Sequence, residues 1–314
     1  MTDFSNLDLD ATINQFEAAA SAQRMEVPGL TVRRMLLALD GSNQDRAVLE
    51  LGRAVATRLG CAVLVTYAYE QSTPDSEKDR YLAEHAMALG RAGRIEAAHA
   101  RAPGGGRAFR QILDLSKAHG CDLSMFPSPY LEDFQDVGGS SVGTTTDVLV
   151  HRRSNPLLVV RKPAENVRDR LERVVLPLNL LSERGAEAAA WALGLTPSDG
   201  TIHLLAVVDE EMLDAVRHLV GQSFRAAEVD EASLAGLGRP DVAGLVAVIQ
   251  RRASEANVDC RVTVRHGPLI QTVAAFANGE PGLLVVGCGD DCAASDYQRT
   301  LGLLRESRNP VLMV

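Results

Sequence analysis

Met35-Leu36-Leu37-Ala38-Leu39, followed by Asp40-Gly41-Ser42, decides how the rest of the chain is read. An apolar run without alternation suits a strand covered on both faces, as in a parallel sheet, and Asp-Gly-Ser breaks it. Ala47, Leu49, Leu51, Ala54, Val55 and Leu59 then fall largely on one side of a helix ending at Gly60. A second strand follows at once, Ala62 to Ala68. Strand, turn, helix and strand in this order point to an α/β sheet.

Reading outward, a helix is predicted from about Ser76 to Ala92, a strand over Ile95 to Arg101 and a helix over Phe109 to His119. Leu123 to Phe126 is the fourth strand, Thr144 to Arg152 the fourth helix and Leu157 to Val160 the fifth strand. Lys162-Pro163-Ala164-Glu165-Asn166 reads as a linker, and beyond it the order returns. Val174 to Leu176 repeats the first strand, Ala186 to Leu193 the first helix and Ile202 to Val208 the second strand. A long helical stretch, broken near Gly236 to Pro240, leads to a third strand over Cys260 to Val264. Val273 to Ala277 belongs to a helix, and Leu283 to Val286 and Val311 to Val314 are the last two strands. The local match of Asn155-Pro156-Leu157-Leu158-Val159-Val160 with Asn309-Pro310-Val311-Leu312-Met313-Val314 marks the end of each copy. Upstream, Leu9, Ile13, Phe16 and Ala20 outline an amphipathic helix, so residues 1–31 are expected to form an N-terminal helical arm.

The chain has 314 residues, enough for two domains. Hydrophobic residues at 46% and charged residues at 23% exclude the disordered and collagen-like classes. No apolar run approaches a membrane span and no signal peptide is visible, so a cytoplasmic protein without a membrane partner is expected. Against 32 basic residues stand 41 acidic ones, a net charge of −9 and the wrong sign for binding nucleic acid. Five scattered cysteines are expected to be reduced packing residues.

An acidic residue with Gly-Ser after the first strand, an Asp leading into the fourth, Gly-Thr opening the last helix and a closing Pro-Leu-Leu-Val-Val resemble the universal stress protein family. The resemblance covers residues 32–163 and 171–314, as a tandem member. It implies two doubly wound five-stranded parallel sheets of the adenine nucleotide alpha hydrolase type, packed as an intramolecular pseudo-dimer about a pseudo-twofold axis. The terminal strands Leu157 to Val160 and Val311 to Val314 are then expected to meet antiparallel.

Many members of that family bind ATP, through Gly-x-x-Gly after the fourth strand and, about nine residues on, Gly followed by Ser or Thr. Glycines let N–H groups approach phosphate, and the helix N-terminus favours an anion. By this resemblance the candidate nucleotide contacts are Asp40, Gly41, Ser42, Gly143, Thr144 and Thr145, all in the first copy. There the Gly-x-x-Gly is replaced by Pro127-Ser128-Pro129-Tyr130; two prolines remove donors and Tyr130 adds bulk. In the second copy Asn179 replaces the acid, Asp290 falls on the second glycine and Tyr297-Gln298 on the Gly-Ser pair. Carboxylates there repel a triphosphate, and no ATP is expected in this copy.

Gly138 to Thr145 reads Gly-x-x-x-x-Gly-Thr-Thr but lacks the lysine of a P-loop. Gly287-Cys288-Gly289-Asp290-Asp291-Cys292 almost makes a dinucleotide fingerprint, with too little chain after it to complete the fold. Its two cysteines lack a second ligand pair for zinc, and no metal site is assigned. Seven histidines are spread without ligand spacing, and His151-Arg152-Arg153 suits the end of a helix. No nucleophile elbow or Ser/His/Asp arrangement is present, so no catalytic residue is assigned.

These readings predict a regulatory, stress-response protein without robust catalysis, with adenine nucleotide such as ATP expected in the first copy if anywhere. The alternatives are a scaffold that binds a protein partner and no nucleotide, and a slow ATP hydrolase or nucleotidyl transferase. Whether two chains pair into a homodimer stays open at this point, because the internal pseudo-dimer satisfies the main interface of the family.

Overall fold

The computed structural model describes residues 26–67, 75–93, 95–101, 107–130, 142–161, 168–181, 184–208, 240–288 and 294–314. The expected N-terminal helix, the 162–166 linker and the loop around Gly138 to Ser141 lie outside these residues. The strand β1 (Arg34–Leu39) is buried from its second residue onward, as its unbroken apolar run requires. It is followed by α1 (Asp45–Leu59), which ends where Gly60 takes a φ of +65° and returns its N–H to Ala56 O; a left-handed residue closes a helix most cheaply as glycine. Next come β2 (Ala62–Tyr67), α2 (Asp75–Gly93), β3 (Ala97–His99), α3 (Ala108–Ala118), β4 (Leu123–Ser128), α4 (Thr144–Arg152) and β5 (Leu157–Arg161). The second half runs β6 (Arg173–Pro177), α5 (Gly185–Leu195), β7 (Thr201–Val208), α6 (Pro240–Glu255), β8 (Asp259–His266), α7 (Leu269–Asn278), β9 (Leu283–Val286), α8 (Ala294–Glu306) and β10 (Val311–Met313).

All ten strands form one sheet in the order β3-β2-β1-β4-β5-β10-β9-β6-β7-β8. Neighbours are parallel throughout each half. The join alone is antiparallel: Val311 faces Val159, Leu312 faces Leu158 and Met313 faces Leu157. The terminal strands therefore meet as expected, and each half carries the same order about the seam.

Successive side chains of a strand point to opposite faces, and the sheet is covered on both. Met35, Leu37 and Leu39 join a core with residues of α1, α2, α5 and α6, including Trp191. Leu36 and Ala38 join a second core with α3, α4, α7 and α8. Each core runs across the seam, and Arg58 of α1 reaches over it to donate to Gly194 O and Thr196 O at 3.0 and 2.6 Å. The two repeated asparagines do the same work in each half. Asn155 Nδ2 donates to Ser116 Oγ, Ser124 Oγ and Cys121 O, while Asn309 Nδ2 donates to Ala277 O and to Glu280 O. Each ties the approach to its last strand to the end of the preceding helix.

Candidate functional site

In a doubly wound sheet the ligand crevice opens at the carboxyl ends of the strands where the order reverses. Here that point lies between β1 and β4 in the first half and between β6 and β9 in the second. The expected contacts sit at the first of these. Asp40, Gly41 and Ser42 follow β1, and Gly143, Thr144 and Thr145 open α4, which is fastened to the end of β4. Ser128 Oγ donates to Val142 O at 2.9 Å, and Thr146 Oγ1 donates to Ser128 Oγ at 3.2 Å. Gly143 takes a φ of +81° and α4 starts without a capping side chain. Thr144 is exposed and Thr145 half-buried, whereas Thr146 is fully buried.

The turn after β1 is closed by its own side chains. Asp45, in the first turn of α1, accepts from Asp40 N at 3.0 Å and from Gly41 N at 2.7 Å. Ser42 N donates to Asp40 Oδ1 at 2.9 Å, Gln44 N to Ser42 Oγ at 3.2 Å and Asp45 N to Ser42 O at 3.2 Å. The amides that a phosphate would need are thus already bonded within the turn. Tyr81 of α2 adds an O–H to Asp45 Oδ2 at 2.8 Å, and its ring meets Tyr67 edge-on at 5.6 Å. Tyr67 lies hard against Gly41, whose φ is +81° and where a Cβ would stand 2.4 Å from the tyrosine oxygen. Burial, and then the neighbouring Asp40 charge, push the Asp45 carboxyl up to about 7 against the hydrogen bonds that favour its ionised form. Burial first, and then the Asp45 charge, push the Tyr81 hydroxyl above its ordinary value.

Between β1 and β4 stands Tyr130. It is fully buried, its ring packs edge-on against Phe126 of β4 at 6.3 Å, and its hydroxyl donates to Leu39 O of β1 at 2.5 Å. A ring lying on the end of one strand and bonded to the end of the next fills the first crevice. The second is closed by main chain: Gly287 N, past β9, donates to Leu180 O, past β6, at 3.0 Å. A Cβ on Gly287 would stand 2.3 Å from Leu181 O, so only glycine allows this approach. Asn179, where the acid is missing, holds both the N–H and the C=O of Val207, at 2.8 and 2.9 Å, and so extends the edge of β7.

Sequence reading missed Asp45 and the seat of Tyr130. An acid in a first helical turn ordinarily serves the helix dipole, and nothing in the spacing separates that from a clasp on the preceding turn. Tyr130 was visible as bulk in a phosphate loop, but its partner Leu39 lies 91 residues away. Cys61, Cys121 and Cys260 are free thiols, each pushed up to about 11 chiefly by burial. Cys288 corrects the expectation of reduced thiols, being disulfide-bonded. Among the described residues no cluster of three or more His, Cys, Asp or Glu could hold a metal, and no helix is long and apolar enough to cross a membrane.

No family model matches the sequence, and no curated protein matches it. Solved structures do. A universal stress protein from Archaeoglobus fulgidus aligns with a TM-score of 0.61 at 16% identity, over 89% of this chain and 95% of that one. A functionally unknown protein from Pseudomonas aeruginosa aligns with a TM-score of 0.60 at 12% identity, over 90% of this chain and 92% of its own. Identities this low speak to architecture, and together with the strand order and the two crevices they show that the chain has the universal stress protein fold.

Proposed function

We propose that the chain is a tandem universal stress protein, with domains at 32–163 and 171–314 after an N-terminal arm at 1–31, acting in the cytoplasm as a non-catalytic regulatory protein of the stress response. In this reading neither domain takes a nucleotide at its crevice, and the protein works through its surfaces on a partner. Tyr130 carries the reading: a fully buried ring with a satisfied hydroxyl is part of the core, and displacing it would forfeit both packing and a hydrogen bond. The clasp of Asp45 on the amides of Asp40 and Gly41 supports it, because a carboxyl group there competes with any phosphate.

A second reading, weak adenine-nucleotide binding in the first domain, is favoured by the uncapped start of α4 at Gly143 and the exposed Thr144. One experiment separates the two. Denaturing the freshly purified protein and analysing the supernatant by mass spectrometry should release no adenine nucleotide, and ATP with magnesium should not raise the melting temperature. Nucleotide near one per chain, with an ATP-dependent rise abolished by Asp40→Ala and Thr144→Ala together, would refute the first reading and establish the second. The contacts would then be Asp40, Gly41, Ser42, Gly143, Thr144 and Thr145.

A further inference from the structure

Away from both crevices, a cleft of about 450 Å³ opens where α3 and α4 of the first half meet α8 of the second. That volume lies within the range of roughly 300 to 1,000 Å³ typical of small-molecule sites. Its walls carry Arg107 and Arg110 from the first turn of α3, and Asp147, His151 and Arg152 from α4, with Tyr297 of α8 closing the far side. Asp147 and His151 are one helical turn apart and so share a face. Tyr297 fixes both: its hydroxyl donates to Asp147 Oδ1 at 2.5 Å, and its ring meets the His151 ring edge-on at 5.5 Å.

The charge in this cleft is one-sided. Three guanidinium groups, which stay protonated in any protein environment, face a single carboxylate, and that carboxylate already accepts from Tyr297. Arg107, Arg110 and Arg152 make no ion pair or side-chain hydrogen bond with any described residue, although all three are exposed and free to do so. The first turn of α3 adds to the imbalance, having neither a capping side chain nor an acidic residue, so the positive end of its dipole is unopposed. In a chain with a net charge of −9, three unpaired arginines converging on one concavity are unusual.

We propose that this interdomain cleft binds a small phosphate-bearing anion, gripped by Arg107, Arg110 and Arg152 with the start of α3 beneath it. Planar guanidinium forks match phosphate oxygens two at a time, and three of them around one cavity suit a ligand with more than one phosphate oxygen to offer. The site draws on both halves of the chain, so ligand bound there bears on the contact between α4 and α8.

The test is calorimetric titration of the full chain with sodium pyrophosphate at low, fixed ionic strength, with sulfate as the matched control. Saturable binding at one site per chain is expected, weakening as salt rises. Arg110→Gln with Arg152→Gln should weaken it at least about tenfold, and Arg110→Gln alone severalfold, should the double variant fail to fold. Asp40→Ala with Thr144→Ala should leave it unchanged, which separates this site from the crevice. No saturation, the same response to sulfate, or binding that ignores both arginine changes would overturn the proposal. So would a response to a poly-glutamate peptide without one to pyrophosphate, which would make the cleft a protein contact.

Discussion

Asp45 keeps its proton in the fold to about pH 7, where a free aspartate gives it up near 3.8. Folded protein therefore binds more protons than unfolded protein between those values, and stability must fall as pH rises through that window. Below about pH 4 both states are protonated and the penalty vanishes; above about 7 it is complete, on the order of 3 kcal/mol. Denaturant midpoints from pH 4 to 8 for the native chain and Asp45→Asn should diverge across this window, the native chain losing stability relative to the variant. A difference that stays flat would mean that the carboxyl ionises normally. The same residue shows why the site was only half legible in the sequence. Asp40-Gly41-Ser42 announces itself by following an apolar run, but the clasp on its amides depends on how α1 is set against β1. Gly143-Thr144 likewise shows its position, not the ring of Tyr130 standing between the two loops.

At the level of elements, the reading succeeds where a strand is covered on both faces and fails at edges. Five consecutive apolar residues in β1, and four in β5 and β9, leave no other reading. By contrast β3, expected over 95–101, is only Ala97–His99, and β8, expected over 260–264, runs Asp259–His266. Both are edge strands with exposed residues, and there polar side chains such as Arg261, Arg265 and His266 blur the pattern that burial enforces elsewhere. The long helical stretch before β8 resolves into α6, which begins at Pro240, a residue suited to a first helical position. The junction of β9 with the turn after β6 offers a sharp test. Gly287→Ala places a methyl group against Leu181 O and should cost roughly 1 to 3 kcal/mol in a denaturant titration. Gly29→Ala, with nothing within 4 Å of the new carbon, should cost little; equal effects would deny the close approach.

For the molecule as a whole, stability hinges on the seam. Val159 and Leu312 are fully buried and feed opposite cores, Val159 the one with α3 and α4, Leu312 the one with α1 and α5. Replacing both by Asp puts an unpaired carboxylate into each core, a burden comparable to the roughly 5 to 15 kcal/mol that holds a typical domain folded. The double variant should lose its cooperative thermal transition and its near-ultraviolet circular dichroism. An unchanged melt would mean that the two halves do not depend on this contact. The antiparallel join has a geometric corollary as well. It turns the second set of parallel strands head to tail against the first, so the turn after Leu39 and the turn after Pro177 look out from opposite margins of the slab. No single small molecule can bridge the two mouths, and a macromolecule that grips both has to reach around the molecule.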